Sequence, residues 1–105
     1  MLTMEEELTF GFNDKMFYAK TGKRKAAILK YKLENNTMHL ILTYTLRKFR
    51  GKGIASKLVE YAINYALEQK VHILKISCSY VKSWLKKHPE YMKKFYKIIY
   101  EVEQG

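Results

Sequence analysis

The sequence predicts an α/β domain of the α+β kind: an antiparallel meander that runs into one right-handed βαβ unit. Three observations predict it. Between residues 8 and 46, apolar side chains recur at every second position between turn signals. From about Gly53 to Gln69 the apolar period becomes helical, and residues 71–78 return to a short run rich in Val, Ile and Leu.

Leu8, Phe10 and Phe12 alternate, Asn13-Asp14 is a turn signal, and Met16 to Ala19 resumes the extended pattern, so residues 8–20 are expected to form a two-stranded hairpin. Gly22 with Lys23-Arg24-Lys25 makes the next turn. Ala27, Leu29, Tyr31 and Leu33 then recur with Lys30 and Lys32 between them, the pattern of a half-buried strand. Asn35-Asn36 punctuates the chain, because Asn tolerates positive φ. Met38, Leu40, Leu42, Tyr44 and Leu46 then alternate with Thr37, His39, Ile41, Thr43 and Thr45. Ile54, Leu58, Ala62 and Ala66 form one stripe, with Ala55, Val59, Ile63 and Leu67 beside it, which predicts a single helix. Val71 to Cys78 is too short for a second long helix and is expected as a strand parallel to residues 37–46. Two short helices complete the prediction, one carrying Val81, Trp84 and Leu85. The other starts at Pro89, where a missing N–H does no harm, and buries Met92, Phe95, Tyr96 and Ile99.

At 105 residues the chain has material for one core, so residues 1–105 are read as one domain. A hydrophobic share of 48%, with nine Tyr and five Phe, offsets chain entropy without covalent staples and argues against disorder. The single Cys78 excludes an internal disulfide, and with three scattered His residues it gives no zinc-ligand spacing, so no metal is expected. Residues 1–7 are acidic where a signal peptide is basic, and no apolar run approaches the ~20 residues that span a bilayer. The expectations are a cytoplasmic location and no membrane. The formal charge of +10 favours a polyanionic partner, whether nucleic acid, an anionic surface or a phosphorylated ligand.

Arg50-Gly51-Lys52-Gly53-Ile54-Ala55 falls where a strand ends and a helix begins. Backbone N–H groups are unpaired there and the helix dipole is positive, so the place favours an anion. Two glycines let the backbone curl closely around it, and Arg50, Lys52 and Lys57 add charge, so a phosphate or pyrophosphate is the natural guest. A Walker A sequence is absent, and a dinucleotide G-x-G-x-x-G would need Gly where Ser56 stands.

Lys48-Phe49-Arg50-Gly51-Lys52-Gly53 resembles the pyrophosphate motif Q/R-x-x-G-x-G/A of the GNAT acetyltransferase superfamily, with Lys48 at the first position. Cys78-Ser79-Tyr80-Val81 followed by His88-Pro89-Glu90-Tyr91 is similar to the small GNAT-like proteins of about this length, a resemblance covering residues 10–95. It implies a GNAT-like acyl-CoA N-acyltransferase fold with two splayed parallel strands. It implies acetyl-CoA as donor, coenzyme A as product and an amine as acceptor, the acceptor being a small molecule, a peptide or a lysine. Residues 50–56, including Ser56, would hold the pyrophosphate, and Thr43 and Thr45 would contact pantetheine and the acetyl carbonyl.

Transfer to an amine needs a neutral amine, a polarised thioester carbonyl and a proton for the departing thiolate. At the mouth of the second parallel strand, Tyr80 is a candidate for the last role. Cys78 is a second candidate acid or a covalent acceptor, against the reading of an inert core thiol. His72 and Cys78 lie about 20 Å apart along a strand, so they form no couple, and His72 and His39 read as structural. Trp84 reads as core, and Lys23-Arg24-Lys25 as solvated surface. The rivals to an enzyme are a GNAT-like domain that binds coenzyme A without turnover and, less favoured, a basic nucleic-acid-binding module, for which no recognised signature is present. The minimal size leaves out most acceptor-binding elements of larger relatives, and the expected state is a monomer or weak homodimer.

Overall fold

The structure, a computed structural model, describes residues 7–101. Six strands form one sheet in sequence order: β1 (Leu8–Phe12), β2 (Met16–Thr21), β3 (Arg24–Glu34), β4 (Thr37–Thr45), β5 (Ile73–Ile76) and β6 (Lys97–Tyr100). The first four pair antiparallel, and β4–β5 and β5–β6 pair parallel. Helix α1 (Ile54–Glu68) joins β4 to β5, while α2 (Ser79–Lys87) and the single turn α3 (Pro89–Met92) join β5 to β6. The turns use the predicted chemistry: Asn13 Oδ1 accepts the backbone N–H groups of Lys15 and Met16 at 2.8 and 2.9 Å, and Asn35 adopts a φ of 53°.

The helices lie together on one face of the sheet, α1 over β2, β3 and β4, and α2 over β4 and β5 and against α1. Phe17, Leu29, Leu40 and Ile76 from the sheet meet Leu58, Val59 and Ile63 from α1 and Val81 and Leu85 from α2, all fully buried. Each such side chain contributes roughly 1.5–3 kcal/mol when taken from water. The other face presents Lys30, Leu42 and Tyr44 to solvent.

One irregularity positions everything that follows. Lys30 pairs with Leu42 and Tyr31 with Leu40, so Ile41 is an extra residue, a β-bulge. It inverts the alternation of β4. Met38 and Leu40 face the core, but beyond the bulge Thr43 and Thr45 turn inward, and Leu42 and Tyr44 point out. The unbroken alternation from Met38 to Leu46 read from the sequence is therefore corrected at Ile41. At the same point β4 and β5 part: Leu40 pairs with Ile76, the Ser77 N–H donates to the Leu40 carbonyl at 2.9 Å, and residues 42–45 then pair only with β3.

The chain's end differs from expectation. The second short helix stops at Met92, and Lys97–Tyr100 is a strand, not helix. Phe95 is buried as predicted, but Tyr96 is 86% exposed. The outer edge of β5 offers a row of backbone groups, and the β-branched and aromatic run Ile98-Ile99-Tyr100 suits that edge better than a helix. The result is a second parallel crossover beyond the one predicted. Strand β5 is also shorter than residues 71–78, and Cys78 stands at the N-cap of α2.

Candidate active site

After Thr45 a 3-10 turn at Arg47–Phe49 leads the chain toward α1. Gly51 and Gly53 have φ of 78° and 77°, a left-handed conformation that costs other residues about 1–2 kcal/mol. A Cβ at either position would meet nothing within 4 Å, so the space over the loop is open. Gly53 is the N-cap and has no side chain to cap with, and the first helical bond runs from the Lys57 N–H to the Gly53 carbonyl at 3.2 Å. The amides of Ile54, Ala55 and Ser56 therefore have no partner within the helix. No acidic residue sits in the first turn, so the positive helix end is left unneutralised beside Arg50, Lys52 and Lys57.

A cleft of about 440 Å³ leads from this loop along the edge of β4 that the fork frees, with Tyr80 on its far wall. Arg50 crosses its mouth: Nε donates to the Thr45 carbonyl at 2.9 Å and the guanidinium lies 5.7 Å from the Tyr44 ring centre. Deeper in, Thr43 Oγ1 and Cys78 Sγ approach to 3.4 Å across the fork. Cys78 is 7% exposed, whereas Tyr80, two residues on, is 39% exposed. On the opposite sheet face, His39 Nε2 and Ser77 Oγ are 2.6 Å apart. Burial holds the His39 imidazole below its ordinary pKa; Lys75 pushes the same way, Glu101 opposes, and Lys32 adds to the lowering.

The start of α1 is tied to α2. Trp84 Nε1 donates to Ser56 Oγ at 2.8 Å, and His88 stacks on the Trp84 indole at 3.9 Å while Nδ1 donates to the Trp84 carbonyl at 2.8 Å. His88 thus shapes the end of α2, and Trp84 is core, as its sequence context suggested.

The GCN5-related N-acetyltransferase family model matches residues 16–95, a span that holds the glycine loop, the fork and all three helices. The chain belongs to this family. No curated relative matches it. Membership of the GNAT family supports an acyltransferase, and the six-stranded mixed sheet with its parted β4 and β5 fits the GNAT fold.

Of the residues singled out in the sequence, Thr43, Thr45, Arg50, Gly51, Gly53, Ile54, Ala55 and Tyr80 line this one GNAT cleft. Cys78 lies behind Thr43. Lys52 and Ser56 do not line the cleft; Lys52 is exposed on the loop, and the Ser56 hydroxyl oxygen accepts from Trp84 Nε1. Sequence reasoning missed Tyr44 and Phe49, which also line the cleft. Phe49 lies inside the loop motif, which was a usable signal. Tyr44 gave none, because its position depends on the bulge. The His39–Ser77 pair was likewise hidden, its members being 38 residues apart.

Proposed function

We propose that the protein is an N-acetyltransferase that takes its acetyl group from acetyl-CoA and passes it to a primary amine. One observation carries this reading: an uncapped, acid-free helix N-terminus behind two positive-φ glycines opens into the same cleft as a strand edge that the fork leaves unpaired. The backbone amides of residues 54–56 would hold the pyrophosphate, with Arg50 and Lys52 supplying charge. The freed edge of β4 offers N–H and C=O groups to the pantetheine amides, as a sheet edge does to an added strand. Acetyl-CoA bound there supplies an activated thioester.

The chain's own residues do the rest. Tyr80, exposed on the cleft wall, is placed to give its hydroxyl proton to a departing thiolate. Thr43 fixes the Cys78 thiol through their 3.4 Å contact, which makes Cys78 the second candidate for that proton and keeps its side chain pointed into the fork. The single free cysteine suits a reducing compartment such as the cytoplasm.

The test is a calorimetric titration of the protein with acetyl-CoA and with coenzyme A, repeated on Gly53→Trp, with circular dichroism to verify the fold. The variant is expected to bind about 100-fold more weakly, or not at all, because the bulky side chain fills the space over amides that make charge-assisted bonds. Absence of binding by the wild-type chain would sink the reading. Binding without release of coenzyme A in the presence of amines would reduce it to a coenzyme A-binding domain.

A further inference from the structure

The fork has two sides, and the proposed function uses only one. Strand alternation puts Thr43 and Cys78 on the face that the helices cover, and His39 and Ser77 on the face they leave open. The Ser77 N–H, bonded to the Leu40 carbonyl at 2.9 Å, makes the last rung between β4 and the β5 end, so Ser77 stands in the crotch. From the glycine loop, the freed edge of β4 runs back from Thr45 to Ile41, about 13 Å at the usual rise per residue. A group anchored at the loop and laid along this edge brings its reacting end to Ser77.

We propose that His39, acting through the Ser77 hydroxyl, is the base that takes a proton from the acceptor amine, and that the acceptor reaches the fork from the uncovered face of the sheet. This rests on the acetyltransferase reading. Two further observations support it. On the covered side Cys78 and the first turn of α2 flank the cleft that the donor would occupy, whereas beside His39 on the open side lies a separate hollow of about 210 Å³ lined by Lys32, Glu34, Thr37 and Lys75 among others. The groups facing His39 are Lys32 from β3, Lys75 from β5 and Glu101 beyond β6, with Glu34 across the hollow. Lys75 Nζ is itself engaged with Glu101 at 3.3 Å. Burial first, then Lys75 and Lys32 against the opposing Glu101, favours the neutral imidazole, the state a base requires.

The step balances without any further reactant. With its own proton on Nδ1, His39 accepts the Ser77 hydroxyl hydrogen at Nε2. One N–H proton of the protonated amine passes to Ser77 Oγ as the Ser77 hydroxyl proton passes to His39 Nε2. The amine nitrogen keeps the freed electron pair, serine is regenerated, and the imidazolium returns its proton to water. Ser77 is the group that touches the amine; His39 acts through it.

The experiment compares wild type, His39→Gln, Ser77→Ala and Ser77→Thr. Acetyl-CoA binding is measured by calorimetry. Release of coenzyme A is followed from pH 5 to 9 with spermidine, tyramine and glycinamide as acceptors, the fastest being kept as the probe. For His39→Gln and Ser77→Ala we expect kcat about 100-fold below wild type with acetyl-CoA binding and the acceptor KM unchanged, while Ser77→Thr, which keeps the hydroxyl, stays within about tenfold of wild type. In wild type the rate falls as pH drops through the His39 pKa, below about 6.5, and this acid limb disappears in His39→Gln. A proton NMR titration of the ligand-free protein supplies a readout independent of turnover, with the His39 ring titrating below its ordinary value. If His39→Gln binds acetyl-CoA and keeps both its rate and its acid limb, the base assignment is overturned and the transferase reading stands. If wild type fails to bind acetyl-CoA, or binds it and acetylates none of the three amines, both fall.

Discussion

The two ends of the cleft are made of different material. At the glycine loop the groups proposed to bind are backbone amides, oriented by the start of α1 and exposed by two positive φ angles. At the fork, side chains distant in sequence are brought together: Thr43 meets Cys78 35 residues away on the cleft side, and His39 meets Ser77 38 residues away on the opposite face. Backbone sites tolerate side-chain change as long as the chain follows the same path, whereas side-chain sites fail with a single atom. The loop should therefore govern affinity and the fork should govern rate.

Tyr80→Phe carries the largest expected effect on that division. Loss of one hydroxyl from the cleft wall should lower kcat about 100-fold and leave the Kd for acetyl-CoA unchanged, as shown by coenzyme A release and calorimetry. A matching loss of affinity would show that the hydroxyl holds the ligand and would blur the two ends. Next comes Arg50→Ala, which removes charge from the loop but no amide. Affinity should fall about tenfold, and the remaining binding should depend less steeply on salt, while kcat at saturation stays near wild type. The smallest effect is expected for Ser56→Ala. Trp84 Nε1 loses its partner, so stability in a urea melt should fall by about 1 kcal/mol, and coenzyme A affinity should hardly move because Ser56 does not line the cleft. A large loss of affinity in Ser56→Ala would mean that the clasp between α1 and α2 sets the loop's shape.

The same contrast governs what could be read in advance. The glycine loop was legible as a turn because it is local: two glycines at the start of a helical period, with basic neighbours, mark the entry to α1 within six residues. The meander, the long helix and the first parallel crossover were legible because hydrophobic period is local too. The bulge at Ile41 left no mark in a run that alternates without interruption, yet it turns Tyr44 outward and Thr43 and Thr45 into the cleft. Strand β6 was read as helix because Pro89 and the apolar residues after it are compatible with one; the free edge of β5, invisible to any local window, decided otherwise. Strand spacing gave His39 no partner, and only pairing β4 with β5 brings Ser77 to it.

By itself, then, the sequence determined the order of the main elements, the place of the glycine loop between β4 and α1, and the formal charge of +10. These depend on residues near one another along the chain, where propensity and period act directly. Tertiary structure alone decided where β4 and β5 part, which face each β4 side chain takes beyond Ile41, and which hydroxyl, thiol and imidazole meet at the fork. The reason is geometric: a strand has two faces and two edges, and their use is settled only when a partner strand arrives from elsewhere in the chain.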